Sequence, residues 1–352
     1  MLRKAKLATL GLLRSVGCFE LVANSRWRGQ RLLILCYHGT SLHDEHEWRP
    51  RLYMSPQQLE QRLESIESLR CSVLSLGEAL QRLQARDLPP RSVAITFDDG
   101  TYDFYKQAYP LLRRRGFPVT VYQTTYYSDY QAPVFNLICS YMLWKRRRDQ
   151  LVAVPELGLQ EPLDSRTEAS RHRIVRTLIE RSERENLTGA QKNQIAKQLA
   201  VALGIDYAAL SASRILQLMN AQEVAEIARD GVDVQLHTHR HRTPDEEGLF
   251  RREIEDNRSR IQAITGKSAR HFCYPSGIYR EQFFTWLKTE HVSSATTCDA
   301  GLASSGDNPY LLPRFVDTTG RTQLEYESWL AGVGSLLAFR RIAPQRYILP
   351  ED

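Results

Sequence analysis

The sequence contains no run of about 18 apolar residues, so no membrane-spanning helix is expected. It contains no internal repeat and no low-complexity stretch. It has no Cys-x-x-Cys pair either. The six cysteines, Cys18, Cys36, Cys71, Cys139, Cys273 and Cys298, lie far apart, which argues for free thiols rather than a disulfide framework or a cysteine zinc site. Cys36 and Cys273 fall inside apparent buried strands and read as small core residues, and free thiols suit a reducing compartment. No nucleic-acid-binding motif accompanies the scattered basic residues. The excess of 47 Lys and Arg over 41 Asp and Glu, net +6, therefore points to an anionic partner such as phosphate or a lipid head group, with no nucleic acid expected. What is present is ordinary for a globular protein: 42% hydrophobic and 25% charged residues, which excludes disordered, collagen-like and multi-pass membrane classes. A chain of 352 residues makes one large domain with additions, or two domains.

At the N-terminus Met1–Lys6 is basic and Leu7–Leu13 apolar, like the start of a signal peptide, but Arg14 interrupts the run and no small-x-small cleavage site follows. Leu2–Trp27 reads instead as an amphipathic helix bearing Arg3, Lys4, Lys6, Arg14 and Arg26, with Arg28 just beyond. Such a helix either packs on the domain or lies on an anionic membrane face. The expected location is cytoplasmic, with a peripheral contact at the inner membrane face, rather than secreted.

Further along, β and α signals alternate. Arg31–Tyr37 and Ser92–Phe97 are apolar β runs, and Ser55-Pro56-Gln57-Gln58 is a helix start with Ser as cap and Pro at the first position. Ser75–Arg86 and Tyr102–Arg115 read as helices and Val119–Thr124 as strand. From Pro133 to about Ser213 the texture becomes helical and charge-rich, and the β/α rhythm then resumes through Val232–Leu236, Glu246–Thr265, Arg270–Tyr274 and Val292–Thr297. Short connections between alternating elements predict parallel strands. Polar motifs following the strands predict a β/α barrel with its site at the C-terminal strand ends. The expected division is an N-terminal helical segment (1–30), a barrel (31–320), a helical insertion within it (131–215) and a C-terminal extension (321–352).

Three motifs carry candidate chemistry. Thr96-Phe97-Asp98-Asp99-Gly100 places two adjacent carboxylates at a strand end, costly unless a cation or proton stabilises them; alone, it is also an ordinary strand-to-helix loop. His237-Thr238-His239-Arg240-His241 sets three imidazoles within five residues after a strand. His237 and His241 converge if the segment turns, His239 then points elsewhere, and Thr238 fixes the loop. Two His and one Asp make a three-ligand site with an open position, and the spare Asp becomes a natural base. The donor set suits Zn2+ and leaves Co2+, Ni2+ or Fe2+ open. Third, Tyr274-Pro275-Ser276-Gly277 after a strand shapes a groove wall and offers a backbone N–H to an oxyanion, or is a plain turn.

TFDDG, then H-T-x-x-H, then a strand closing in YPSG, resemble the polysaccharide deacetylase family, the NodB-homology group or carbohydrate esterase family 4, over roughly Arg31–Asp317 without the insertion. The resemblance implies an α/β fold, a distorted (β/α)7 barrel. It implies Asp98 as catalytic base, Asp99, His237 and His241 as metal ligands, and Thr238 as support for the second histidine. Two departures stand out. Cys273 occupies the place where many members carry an arginine that steadies the base. No C-terminal Leu-x-x-His motif supplies an acid, since the last histidine is His291. Tyr37-His38 before TFDDG is similar to the subgroup with an N-terminal Tyr-His motif, in which biofilm poly-N-acetylglucosamine deacetylases use an early histidine. This implies His38 as the acid, unless it only caps the strand end. Leu312-Pro313-Arg314 also resembles a late feature of that subgroup. Arg314 is expected to orient a site carboxylate, meet the substrate or make a structural salt bridge.

The expected reaction is hydrolysis of an N-acetyl group on an amino sugar of a polysaccharide or glycan precursor. Asp98 takes the proton of a water, the backbone N–H of Ser276 meets the oxyanion, and His38, with an ordinary imidazole pKa, protonates the leaving amine. Tyr122, Tyr126, Tyr127 and Tyr130 are candidates for stacking on sugar rings or for plain packing. The same residues leave open an O-acetyl ester or non-sugar amide substrate, or a catalytically inactive glycan-binding relative.

Overall fold

The computed structural model describes residues 2–151, 154, 157–158 and 163–337. Eight strands form one wholly parallel sheet: β1 (Leu33–Tyr37), β2 (Ser72–Val73), β3 (Ser92–Phe97), β4 (Val119–Gln123), β5 (Asp233–Leu236), β6 (His271–Cys273), β7 (Ser294–Thr296) and β8 (Phe315–Val316). The order around the sheet is β7-β6-β5-β4-β3-β1-β8, with β2 lying against the start of β3. The sheet curls until its ends meet. Leu312, just before β8, donates to the Ala295 carbonyl at 3.0 Å and accepts from the Thr297 amide at 3.0 Å. The result is a distorted, closed barrel with its helices outside.

The strands are apolar throughout because both faces are covered. Side chains alternate between two separate cores. Leu33, Leu35, Tyr37, Val93, Ile95 and Phe97 join the large cluster between sheet and helices. Leu32, Ile34, Ala94, Tyr122 and Cys273 form a smaller cluster inside the barrel. That parity sets the site. Asp98 follows Ala94 and Thr96 on the inner face of β3, and His38 follows Ile34 and Cys36 on β1.

Helix signals read from sequence match local capping. Ser55 accepts from the Gln58 amide at 3.1 Å to start the helix Pro56–Ser68. Ser75 caps Leu76–Ala85, and Gly266, at φ 72°, ends Glu247–Thr265. Residues after Tyr130 form the helices Phe135–Lys145, Glu168–Arg184, Gly189–Ala202 and Tyr207–Ala212. These have their own apolar core, in which Ile138, Met142, Ile174, Leu178 and Leu199 are buried together. The loop after β1 contributes to that core through Tyr53, Trp48 and Leu52.

Both termini differ from expectation. The single helix predicted over Leu2–Trp27 is three, Leu2–Ser15, Cys18–Ala23 and Arg26–Gly29. Gly17 takes φ 79° at the first break, and the Ser25 side chain caps the last piece. This segment packs on the protein. Leu10, Phe19 and Ala23 meet Ala331 and Val333, while Lys6 and Arg14 pair with Glu325 and Glu327 at 3.0 and 2.8 Å. Arg28 is fully buried, donating to the carbonyls of Arg31, Ser92 and Leu330. Of the two readings of this segment, packing on the domain is the one observed, and part of its basic face is used internally. The helix Gln323–Ala331, expected in a C-terminal extension, belongs to the barrel core: Tyr326 and Leu330 are buried in it. Residues 338–352 of that extension, and Met1, lie outside the described residues.

Candidate active site

The two aspartates of the first motif part company at once. Asp98 points into the barrel, where Arg314 grips it with both arms: Nη1 donates to Oδ1 at 2.7 Å and Nη2 to Oδ2 at 2.8 Å. Arg314 is fully buried. Its Nε donates to the Thr297 carbonyl at 2.9 Å, which fixes the fork. Arg314 therefore stands, from a later strand, where Cys273 left the third motif without an arginine. The Cys273 and Cys36 thiols sit 3.4 and 3.5 Å from Asp98 Oδ2, and Arg314 Nη2 lies 3.1 Å from the Cys273 sulfur. The two cysteines are core residues, as expected, but they also wall the carboxylate. Burial alone would push the Asp98 carboxyl up; the Arg314 guanidinium outweighs it and holds the group well below the usual carboxylate range.

Asp99 turns the other way because its backbone is left-handed, at φ 70°. Gly100 follows at φ 74°, and a Cβ there would strike the Gln123 side chain at 2.0 Å, so the turn requires glycine. The chain returning from the helical insertion holds this turn: Met219 donates to the Gly100 carbonyl at 3.0 Å and Tyr102 to that of Gln217 at 2.8 Å.

The histidine loop after β5 closes on Asp99. Thr238 and His241 are also left-handed, at φ 61° and 58°, conformations that cost non-glycine residues about 1 kcal/mol or more each. Thr238 Oγ1 accepts from the Arg242 amide at 3.0 Å and draws the loop shut. From the helix Glu247–Thr265, Asn257 accepts from the His237 amide and Glu253 from the Arg240 amide. The outcome is that Asp99 Oδ1 is 3.2 Å from Nε2 of both His237 and His241. His239 points away, to Thr125 Oγ1 at 2.9 Å.

These three residues fit a divalent metal. His237 Nδ1 is 2.8 Å from the Cys273 carbonyl, so it carries the proton and leaves Nε2 as a lone pair facing Asp99. A separation of 3.2 Å between donor atoms is close to the ~3.3 Å edge of a tetrahedron with bonds of about 2.0 Å. The donor atoms of Asp99, His237 and His241 lie together as a candidate ligand group.

His38 lies near the pair, with Nε2 3.7 Å from Asp98 Oδ2. Its surroundings differ from the ordinary imidazole expected: burial lowers its pKa, an effect that Asp98 only partly opposes. Its Nδ1 is buried without a hydrogen-bond partner. Tyr274 is buried under the third motif, its hydroxyl donating to the Tyr310 carbonyl at 3.1 Å. Pro275 and Ser276 follow in a short turn, with Ser276 left-handed at φ 56°.

Asp98, Asp99, His38, His237, His241 and Ser276 line a cavity of about 1310 Å3 that runs out to the helical insertion. Of the aromatic candidates, Tyr126 and Tyr127 line it. Tyr122 does not: it is fully buried inside the barrel, its ring 5.7 Å from the Arg314 guanidinium. Alternation along β4 puts it there. The sequence reading missed Cys36 and Cys298 as neighbours of the carboxylate, Asn257 and Glu253 as anchors of the histidine loop, and Trp48 and Arg49 in the cavity wall. None of these carries a local motif.

A parallel barrel presenting an aspartate pair at one strand end and a His-x3-His loop at another is the architecture of NodB-type deacetylases. The polysaccharide deacetylase family model matches residues 85–154 and 183–291, about half the chain, and the chain belongs to that family. No curated protein matches it. Solved structures show the same fold at low identity. The Streptococcus pyogenes deacetylase PplD, in complex with acetate, is 16% identical with a TM-score of 0.57, covering 86% of this chain and 98% of its own. IcaB from Ammonifex degensii is 17% identical with a TM-score of 0.53, covering 86% and 97%. BC0361, a polysaccharide deacetylase from Bacillus cereus, is 14% identical with a TM-score of 0.51, covering 86% and 69%.

Proposed function

We propose that the protein is a metal-dependent deacetylase that hydrolyses an N-acetyl group on an amino sugar of a polysaccharide or glycan precursor. The observation that carries this reading is the pairing of a clamped carboxylate, Asp98 on Arg314, with a neighbouring donor set of Asp99, His237 and His241 in one cavity. Asp99, His237 and His241 would hold the ion. A divalent ion bound there supplies Lewis-acid polarisation of the acyl carbonyl and a more acidic water.

The chain's own residues do the rest. Asp98 stays ionised because Arg314 outweighs its burial, so it is ready to accept the proton of the attacking water at any neutral pH. Arg314 takes one lone pair on each oxygen, the Cys36 and Cys273 thiols also face Oδ2, and Asp98 still borders the cavity. The turn at Ser276 borders the same cavity and offers its backbone N–H to the oxyanion. His38 is the group placed to protonate the departing amine. Since burial keeps it neutral, it takes up a proton during the reaction, with Asp98 at 3.7 Å as the nearest source. No serine or cysteine nucleophile is required.

The test is acetate release from N-acetylated and O-acetylated sugars, with and without chelator, alongside metal analysis. Chelator-sensitive release from an N-acetyl sugar supports the reading. Release that ignores the chelator, or bound metal with no release from any substrate, contradicts it.

A further inference from the structure

Of the arginines that line the cavity, Arg171, Arg240 and Arg242 have their charge or donors engaged within the protein, and Arg51 is exposed. Arg240 and Arg242 both reach Glu253, at 3.0 Å each. Arg171 donates to the carbonyls of Ser165 and Arg166. Arg49 is different. Its Nη1 is buried and has no hydrogen-bond partner, yet Arg49 lines the cavity. The guanidinium lies 4.6 Å from the Trp48 ring centroid, which offsets part of its lost hydration and hydrogen-bonds none of its donors. The nearby Glu168 carboxylate is 3.8 Å from His172 instead, and among the described residues no carboxylate forms an ion pair with Arg49. Glu168 acts on it only at longer range, and a buried N–H left without an acceptor is costly.

Its placement is rigid. The Arg49 amide donates to the Glu45 carbonyl at 2.8 Å, and its own carbonyl accepts from Leu52 and Tyr53 at 2.9 Å each. Leu52 in turn accepts from Gly39, the residue after His38, at 2.9 Å. Two backbone hydrogen bonds thus tie Arg49, through Leu52, to the residue next to His38.

We propose that Arg49 is the anchor of an anion subsite: the cavity wall between Trp48–Arg49 and the helix Glu168–Arg184 receives an oxyanion group carried by the substrate beside its acetylated sugar. A guanidinium fork suits phosphate and carboxylate oxygens alike. The two sources are therefore a phosphate-linked amino sugar and a polymer containing uronic acid. This rests on the deacetylase reading for the identity of the substrate, but not for the binding itself.

The experiment is calorimetric binding to the full chain, metal-loaded and chelator-treated, of UDP-N-acetylglucosamine, a hyaluronan tetrasaccharide and neutral chitotetraose, with acetate release followed in the same samples. At least one anionic probe should bind more tightly than the neutral one. Arg49→Gln should reduce that preference about 10- to 100-fold, and Arg49→Lys, which keeps charge without the fork, should restore part of it. The probe that shows the dependence names the source. Anionic probes that bind no better than chitotetraose overturn the proposal. So does a preference that survives Arg49→Gln, or one that the chelator abolishes in both proteins. Arg49-dependent binding without acetate release from any probe retains the subsite and counts against the deacetylase reading; release without Arg49-dependent binding does the reverse.

Discussion

The inner end of the cavity and its outer wall are built in different ways. At the inner end Asp98, His38 and His237 sit at strands' C-terminal ends, where parity aims them, and Arg314 reaches in from the residue before a strand. Asp98 continues β3, His237 follows β5, and Arg314 leads into β8. The outer wall is assembled from the loop after β1 and from helices that share a core of their own, so Trp48 and Arg49 meet Trp144 and Glu168 across a long stretch of chain. The chemistry is thus fixed by short-range geometry, whereas the surface that meets the rest of the substrate is set by separate packing. The two are joined where Gln217, Leu218 and Met219 meet the turn after β3 and where Gly39, next to His38, bonds to Leu52.

If this division holds, changes at the inner end should remove catalysis outright. Asp99→Ala and His237→Ala are expected to lose both bound metal and activity, measured by metal analysis and acetate release. Asp98→Asn should keep the metal and lower kcat by about 10^2- to 10^4-fold. Loss of metal in Asp98→Asn would erase the distinction between the two aspartates.

Next in size is Arg314. Removing one partner of a buried ion pair costs about 3–5 kcal/mol, so Arg314→Met should be markedly less stable in chemical denaturation. Its surviving activity should show an acidic limb moved to higher pH, because burial then raises the Asp98 carboxyl with its main opposing charge gone. Adding Cys273→Arg, which returns an arginine to the place the family motif gives it, should restore part of both losses. An unmoved acidic limb would mean that Arg314 only braces the barrel.

In the wall, Leu178 is fully buried in the helical core. Leu178→Ala should cost about 2–5 kcal/mol of stability, raise KM more than it lowers kcat, and leave metal content unchanged. A fall in kcat with KM constant would show the two regions to be one unit.

A pH-dependent effect on stability concerns Asp103, which is buried and hydrogen-bonded by Thr101 at 2.5 Å. Burial pushes its carboxyl up to about 8. The folded chain therefore holds a proton there that the unfolded chain releases near pH 4, and stability falls as pH rises from about 4 to about 8. Asp317, pushed up to about 6 by burial that Arg62 only partly opposes, adds slope in the lower part of that range. In Asp103→Asn the first contribution is gone, so Tm should gain on the unmodified protein steadily from pH 5 to pH 8. Parallel Tm curves would contradict the raised pKa.

The same division explains what the sequence made legible. Strand positions, the helix caps at Ser55 and Ser75, and the convergence of His237 with His241 follow from period-two alternation and from residues a few places apart, whereas Asp99, 138 residues away from His237, joined them only through the family resemblance. The role of Arg314 was readable only as one of several options, because its contact with Asp98 spans 216 residues. Cys273 gave the hint, as a missing arginine leaves a buried carboxylate that something else must balance. The breaks at Gly17, left-handed, and Ser25, extended, were hidden because amphipathic periodicity carries across a single non-helical residue. Arg49 and Trp48 had no signal at all, since their meaning comes from the helices packed opposite them.

The central claim is that Asp98 is the base of a metal-dependent deacetylation. Acetate release from N-acetylated oligosaccharides by the unmodified protein and by Asp98→Asn, at equal metal content and with a chelator control, tests it most directly. The expected result is chelator-sensitive release by the first and a loss of at least about 10^2-fold in the second. Equal rates from the two proteins, or release indifferent to the chelator, would contradict the account.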